Sequence, residues 1–319
     1  MKEFEKVING LLDEADDFVV LRESTQQLQA LFAQATGIQA GNLTHAQMQT
    51  TSNGKVVHEV QAAHCVLDMM RTRQFLRAIY KAIAHFRARG NSPVQLLYAG
   101  TGPYATLLTP LLPFFTPQDL QLTFLEINPV SMRAVKKLYA DWELTPFVAE
   151  YRLTDATDPR LSFASPFDII VSETMQAGLR AECQVPLTRN LVRFLQPEGT
   201  FIPQVVELAA YLVGKQDPLD PSQTEKQHLG SAYRLDFRQV PPPDVVTTLD
   251  IPTDAFRHLQ IFTTLHLFEE IKLLPFQSGL TIPLTLQHFT ASLPERLHFQ
   301  YREGETPELH VLPHVTQSL

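Results

Sequence analysis

Between residues 93 and 204, short β-rich runs alternate with helical patterns, and this alternation is the strongest constraint on the fold. The helical segments, such as SMRAVKKLYADW and VPLTRNLVRFL, repeat apolar residues every three or four positions. Strands that alternate with helices predict a largely parallel sheet, whose ligands bind at the carboxyl ends of the strands. The β-rich runs are VQLLYA at 94, LQLTFLEI at 120, PFVAEYRL at 146, FDIIVSE at 167 and GTFIPQVVELAAYLV at 199.

The two ends of the chain follow different patterns. Residues from about 3 to 35 and from about 56 to 89 carry amphipathic helical patterns, which a polar stretch, QTTSNG, separates. After about residue 204 prolines cluster and strand-like segments follow, with a long loop or an inserted arm expected at 215–245. We therefore predict an α/β protein with an N-terminal helical region (1–92), a Rossmann-like cofactor-binding domain (93–204) and a β-rich, mostly antiparallel C-terminal domain (205–319).

Composition excludes several classes of protein. The 319 residues are 44% hydrophobic and 19% charged, as in globular proteins, and the net charge of -8 comes without a block of Lys or Arg, which argues against nucleic-acid binding. The longest apolar run, ATLLTPLLPFF, is too short to span a bilayer, and the amino terminus lacks the pattern of a signal peptide. Cys65 and Cys183 are too few for a disulfide framework or a four-cysteine zinc site. We predict a cytoplasmic protein with no metal and no nucleic-acid or membrane partner.

Three predicted strands end in residues that suit a nucleoside. Gly100 and Gly102 follow the first strand, before a predicted helix, and let the backbone approach a ligand closely. Glu126 ends the next strand, where an acidic residue of a doubly wound fold accepts hydrogen bonds from ribose hydroxyls. Asp155 ends the third, placed to accept from an adenine amino group while the amide of Ala156 reaches the ring. The three together predict a purine-nucleoside site.

These strand ends resemble those of the class I S-adenosylmethionine-dependent methyltransferases, which hold the methionine part, the ribose and the adenine there. The resemblance implies S-adenosylmethionine as the cofactor. This chain departs from the pattern in two places, because Tyr98 stands where the first strand usually ends in an acidic residue and Tyr104 replaces the last glycine. NAD is the competing ligand, but Pro103 and Tyr104 do not supply the third glycine that a pyrophosphate needs.

A longer stretch, FDIIVSETMQAGLRAECQVPLTRNLVRFLQPEGTFIP, closely resembles the double-glutamate loop of the protein arginine methyltransferase family. In that family a strand ends in Ser-Glu, a hairpin with Met and Gly follows, and a second Glu comes nine residues after the first. Glu173 and Glu182 occupy the two places here, and the resemblance implies that they are catalytic. Two carboxylates facing one pocket can grip a planar guanidinium and take up positive charge as it develops.

The helical stretch MMRTRQFLRAIYKAI resembles the helix that closes over the cofactor in the same family. The resemblance implies that Arg71 pairs with the carboxylate of the cofactor's methionine part, with Met69 and Met70 near the sulfonium. Without the resemblance, the sequence would predict that Arg71 is a solvated cation on an amphipathic helix and that the two methionines are core residues. The family also has a Thr-His-Trp loop, absent here, whose histidine approaches the glutamates; His266 and His288 are candidates to replace it.

The predicted function is N-methylation, by S-adenosylmethionine, of a guanidine or amine in a small molecule or a peptide with a basic nitrogen. A small-molecule O- or C-methyltransferase and a non-catalytic cofactor-binding scaffold are the alternatives, the scaffold because of Tyr98 and Tyr104. A homodimer through 215–245 stays open. The first fifty residues are expected to cap the cofactor site, to form an interface or to pack on the sheet.

Overall fold

A parallel sheet of five strands forms the centre of the protein, as the alternating pattern predicts. The computed structural model describes residues 2–13, 17–40, 49–214, 225–251, 256–290 and 293–312. The strand order is β5-β4-β3-β6-β7, and every neighbouring pair is parallel. The strands are β3 (Val94–Ala99), β4 (Leu120–Glu126), β5 (Val148–Leu153), β6 (Phe167–Ser172) and β7 (Leu195–Ile202).

The register of this sheet brings three strand ends together. Ala99, at the end of β3, is paired with Leu125 of β4 on one side and with Ser172 of β6 on the other. The residues that follow these three, including Glu126 and Glu173, therefore leave the sheet at one edge. Parallel strands place their carboxyl ends at the same edge, which is the usual ligand edge of such sheets.

The described residues contain six α-helices. The N-terminal helical prediction is confirmed in outline, although the first segment forms two helices rather than one, because Asp17 starts a new helix by accepting from the amides of Val19 and Val20. No described helix is long and apolar enough to cross a membrane. The helices are α1 (Lys2–Leu12), α2 (Phe18–Thr36), α3 (Glu59–His64), α4 (Met69–Ala88), α5 (Pro129–Asp141) and α6 (Gln184–Leu191).

The helix predicted after Gly100 and Gly102 is wrong. Residues 102–108 form turns, and a short 3-10 helix, Thr109–Phe114, follows them. Pro110 and Pro113 account for the difference, because a proline cannot donate the hydrogen bond that an α-helix requires and its ring clashes with the preceding turn.

The strands outside the parallel sheet are paired antiparallel. One sheet has the order β12-β11-β8-β9, with β13 also paired to β11; a second has the order β10-β14-β15; and β1 and β2 form a hairpin. The strands are β1 (Gln49–Thr51), β2 (Gly54–Val56), β8 (Val205–Val213), β9 (Lys226–Asp236), β10 (Val246–Asp250), β11 (His258–Phe268), β12 (Ile271–Leu273), β13 (Leu284–His288), β14 (Arg296–Arg302) and β15 (Glu308–Leu312).

Two sequence-based expectations about this part need correction. The loop or arm predicted at 215–245 contains β9, which pairs with β8 over its whole length; residues 215–224 lie outside the described residues. The single β-rich run at 199 becomes two strands of different sheets, since Pro203 interrupts the run between β7 and β8. Proline lacks the amide that a continuous strand would need for its ladder.

Tyr104 joins the N-terminal helices to the parallel sheet. Its ring is fully buried and lies 5.1 Å from the ring of Phe32 in α2, and its hydroxyl donates to the carbonyl of Ile38. Phe32 also stacks on Trp142, which follows α5. The tyrosine that replaces the last glycine of the motif is thus a packing residue, and α2 packs against the Rossmann-like part of the fold.

Candidate active site

A cavity of about 740 Å³ opens at the carboxyl edge of the parallel sheet. Six of the eight candidate residues line it, although they come from four separate parts of the chain. The described residues contain no cluster of three His, Cys, Asp or Glu side chains that could hold a metal ion. The six candidates that line the cavity are Arg71, Gly100, Gly102, Glu126, Glu173 and Glu182.

The turn after β3 brings the backbone against the cavity. Gly100 has φ +75° and Gly102 has φ +60°, the left-handed region that favours glycine. A Cβ built on Gly100 would lie 2.4 Å from Cγ2 of Thr174, the residue after Glu173. Only glycine lets this turn and the start of the glutamate loop approach so closely.

Glu126 is buried at the end of β4 and is held by backbone donors. Its Oε2 accepts from the amide of Gly102 at 2.9 Å and from the hydroxyl of Thr101 at 3.2 Å, and its Oε1 accepts from the amide of Asn128 at 2.8 Å. Burial raises the pKa of Glu126, while the amides of Asn128 and Gly102 act in the opposite direction. The carboxylate is therefore fixed in orientation at the floor of the cavity.

Asp155 and Ala156 are not among the residues that line this cavity. Oδ1 of Asp155 accepts from the amide of Thr157 at 2.8 Å and from its hydroxyl at 2.7 Å. The carbonyl of Ala156 accepts from Nδ2 of Asn190 at 2.8 Å. The turn after β5 thus uses these groups to hold itself together and to contact α6.

Arg71 and Glu173 form a buried ion pair. Nη2 of Arg71 donates to Oε2 of Glu173, and only 10% and 7% of the two side chains are exposed. The amide of Arg71 donates to Oδ1 of Asp68, the residue that caps α4. Nε of Arg71 is buried and has no hydrogen-bond partner among the described residues. An acceptor from a bound molecule would satisfy this atom.

Met69 and Met70, expected beside the sulfonium, do not line the cavity. Met70 is buried in the hydrophobic core, and Met69 packs against that core. Both methionines are therefore packing residues in this structure, as expected for an amphipathic helix without the family resemblance.

Glu182 is buried, lines the same cavity and follows a tight turn. Its amide donates to the carbonyl of Arg180 at 2.8 Å, and Ala181 between them has φ +67°, which makes a γ-turn. Burial raises the pKa of Glu182 to about 7, while a hydrogen bond with Gln176 and the charge of Arg71 act in the opposite direction. Glu182 is therefore partly protonated at neutral pH, unlike an exposed glutamate.

Three hydrogen bonds fix this loop to the antiparallel strands. The amide of Gly178 donates to Oγ1 of Thr263 at 3.0 Å, and the amide of Ala181 donates to the carbonyl of Pro307 at 2.8 Å. The hydroxyl of Tyr301 donates to the carbonyl of Leu179 at 2.8 Å. The position of Glu182 is thus set by β11 and by the β14–β15 hairpin, outside the parallel sheet.

The β1–β2 hairpin covers the same loop from the other side, where the sequence suggested only a polar spacer. The amide of Lys55 donates to the carbonyl of Ala181. A Cβ on Gly54, whose φ is +130°, would lie 3.0 Å from the carbonyl oxygen of Ala181 and 3.0 Å from the carbonyl carbon of Glu182. Nδ2 of Asn53 donates to Oγ1 of Thr157 at 2.8 Å. The hairpin therefore bridges the glutamate loop and the turn after β5.

Asp68 joins the start of α4 to the antiparallel part of the structure. Its Oδ2 accepts from the hydroxyl of Ser278 at 2.7 Å and from the amide of Gly279 at 2.9 Å. Gly279, Leu280, Ile282 and Leu284 line the cavity, so this wall is mainly apolar.

Neither candidate histidine lies at the site. His266 is on β11, with Nε2 3.8 Å from Glu207, and His288 stacks on His258 with ring centroids 4.3 Å apart. Neither lines the cavity, and the lining histidine is His64, from the end of α3. The two candidates thus lie away from the glutamates, because their strand positions direct them to other partners.

Tyr98 and the two cysteines also line the cavity. Burial raises the pKa of Tyr98, so its phenol is neutral. It stands where the first strand of class I methyltransferases usually ends in an acidic residue. Burial also raises the pKa of the Cys183 thiol to about 12, which leaves it neutral and a poor nucleophile at neutral pH.

Comparison with models of protein families gives no match, and comparison with curated proteins gives none either. Among solved structures, the chain is similar to one in the "Trypanosoma brucei PRMT1 enzyme-prozyme heterotetrameric complex with AdoHcy", with a TM-score of 0.61 and 12% identity over 82% of this chain and 95% of that chain. It is also similar to Arabidopsis thaliana protein arginine methyltransferase 10, with a TM-score of 0.53 and 13% identity over 75% of this chain and 86% of that chain.

At these identities the likeness shows the fold alone. Both neighbours match most of the chain, so the parallel sheet and the antiparallel strands belong to one shared architecture. The chain has the fold of the protein arginine methyltransferases, as the resemblance of its double-glutamate loop led us to expect.

Proposed function

We propose that this protein is an S-adenosylmethionine-dependent methyltransferase that methylates a guanidine or amine nitrogen. The observation that carries the proposal is the convergence of the glycine turn, Glu126, Arg71 and the two loop glutamates on one cavity, in an arginine methyltransferase fold. The T. brucei complex of this fold contains AdoHcy.

The residues present fit this cofactor. Nε of Arg71 is a buried donor without a partner, which suits the carboxylate of a methionine group, and Glu126 is oriented to accept from ribose hydroxyls. S-adenosylmethionine supplies a methyl group that is activated by a sulfonium. Gly100 and Gly102 carry no side chain, so the backbone of their turn can approach the part of the cofactor that lies between Arg71 and Glu126.

Glu173 and Glu182 have different roles in the proposed reaction. Glu173 is neutralised by Arg71 through Oε2, so Oε1 is the oxygen left to orient an acceptor nitrogen. Glu182, with its pKa of about 7, binds the cationic acceptor when ionised and is a better proton acceptor than an ordinary glutamate. The ion pair with Arg71 holds the side chain of Glu173, and backbone hydrogen bonds at Ala181 and Glu182 hold the turn at Glu182. Little ordering is therefore needed when the acceptor binds.

Calorimetric titration with S-adenosylhomocysteine tests the cofactor part of the proposal. We expect micromolar binding to the wild-type protein and a loss of about 10- to 100-fold for Glu126→Ala, since charged hydrogen bonds to the ribose are removed. Glu198→Ala is the matched control, because the Glu198 side chain is 77% exposed and remote from the cavity. No binding to the wild-type protein would exclude the methyltransferase.

Transfer of a labelled methyl group to a panel of guanidines and amines tests the reaction itself. Turnover on a nitrogen acceptor supports the proposal, whereas tight cofactor binding without turnover on any acceptor would favour the scaffold. The T. brucei complex is a heterotetramer, so gel filtration of this protein tests the homodimer that the sequence leaves open.

The unusual titration of Glu182 gives a pH-dependent prediction. We expect its carboxyl carbon, followed by ¹³C NMR and assigned by its absence from Glu182→Gln, to titrate near pH 7. The folded state then binds more protons than the unfolded state between the ordinary glutamate pKa and 7, so the contribution of Glu182 to stability falls as pH rises through that window. Titration together with the exposed glutamates, near pH 4, would contradict the buried environment.

A further inference from the structure

A second cavity, of about 390 Å³, lies on the other side of the glutamate loop. Its lining comes from the loop itself and from β11, β13 and β15. Arg180 and Leu284 line both cavities, so the two spaces meet at these side chains. The second cavity therefore adjoins the space around Glu182 at Arg180 and Leu284.

Opposite charges face this second space. Arg180 is exposed and Glu308 lines the same cavity, with Oε1 3.4 Å from Nε2 of His310. The hydrogen bond from the amide of Ala181 to the carbonyl of Pro307 joins the two segments one residue away from each charge. A cation and a carboxylate that line one cavity are complementary to a group that carries both a carboxylate and an ammonium.

The spacing suits one small molecule. Arg180 lies two residues before Glu182, across the γ-turn at Ala181, so their Cα atoms are separated by about 7 Å or less. Both residues therefore lie within reach of one small ligand that carries a basic nitrogen and a carboxylate. The apolar Leu284 between the cavities would contact the methylene groups that join them.

We propose that the acceptor is a free basic amino acid whose α-carboxylate binds Arg180 and whose α-ammonium binds Glu308, while its side-chain nitrogen lies between Glu173 and Glu182. The inference rests on the proposed function and narrows its substrate class. An arginine inside a peptide has neither terminal charge. It would leave Arg180 without a partner, and flanking cations of a basic peptide would be repelled by it.

Calorimetry on the protein saturated with S-adenosylhomocysteine tests the inference with matched pairs of ligands. The pairs are L-arginine and agmatine, L-lysine and cadaverine, and L-ornithine and putrescine, with N-acetyl-L-arginine amide as the peptide mimic. Each amine lacks only the carboxylate. We expect at least one amino acid to bind about 30-fold more tightly than its amine, the effect of one charged bidentate contact, and the peptide mimic to bind no better than agmatine.

Variants identify the residues. Arg180→Gln is expected to reduce the preference for the carboxylate to about 3-fold or less without weakening the binding of the amine, and Arg180→Lys to retain part of it. Glu308→Gln should weaken the amino acid but not an N-acetylated form. Arg296→Gln, which removes an exposed cation of β14 that lines neither cavity, is the control and should retain the full preference.

The outcomes separate this inference from the function on which it rests. Equal binding of the amino acids and their amines, a preference that survives Arg180→Gln, or tighter binding of the peptide mimic would each overturn the amino-acid acceptor and leave the methyltransferase intact. Failure of S-adenosylhomocysteine to bind would overturn both.

Discussion

Replacing Glu182 by glutamine is expected to lower kcat/KM for the methyl acceptor by about 100- to 1000-fold, the usual cost of removing one charged group that stabilises a transition state. The amide retains the shape of the side chain but can neither balance a cation nor accept its proton. Methyl transfer to the acceptor identified in the panel is the measurement.

Folding and cofactor binding should survive this change. Because burial already favours the protonated, neutral form of Glu182, the variant should be as stable as the wild-type protein, or more stable above pH 7. Its affinity for S-adenosylhomocysteine should be unchanged. Glu198→Gln, at an exposed position, is the control for activity. A variant with wild-type turnover would show that the loop glutamates are not catalytic and would revive O- or C-methylation.

Arg71→Met is expected to lower the free energy of unfolding by about 3–5 kcal/mol, because it leaves Glu173 buried without its cation. Urea denaturation at pH 7.5 measures this loss. The double variant Arg71→Met, Glu173→Gln should recover most of it, since no uncompensated charge then remains. The control is Arg160→Met, which disrupts an ion pair whose arginine side chain is 89% exposed and should leave the free energy of unfolding nearly unchanged. Equal stability of Arg71→Met and the wild-type protein would contradict a buried ion pair.

The parallel sheet and much of the site could be predicted from the sequence, because their signals are local. The strands β3 to β6 each had their own β-rich run, whereas β7 shared one with β8. Parallel pairing of β3 with β4 and β6 is enough to bring Gly100, Glu126 and Glu173 to one edge. The family resemblance then added Glu182 and Arg71. What neither showed is that Arg71 contacts Glu173, because the pairing of two charges 102 residues apart depends on the packing of α4 over the strand ends.

Other parts of the site could not be predicted, because no local sequence pattern marks them. The strands β1 and β2 have three residues each, and their hairpin is held by contacts with Ala181 and Glu182, more than a hundred positions away. The segment from Gly279 to Leu284 contains no titratable side chain, so a search for a replacement histidine could not find it. Tyr104 looked like a defect of the glycine motif, and only the position of Phe32 explains it.

The attachment of the glutamate loop to Pro307, directly before β15, has a consequence for how the protein loses activity on heating. β15 is an edge strand of a three-stranded sheet, and partial opening of a structure begins where few strands support each other. If β15 separates from β14, the amide of Ala181 loses its acceptor and the γ-turn before Glu182 loses its support. Amide hydrogen exchange at Ala181 should then report the same opening that ends turnover, below the temperature at which the parallel sheet melts.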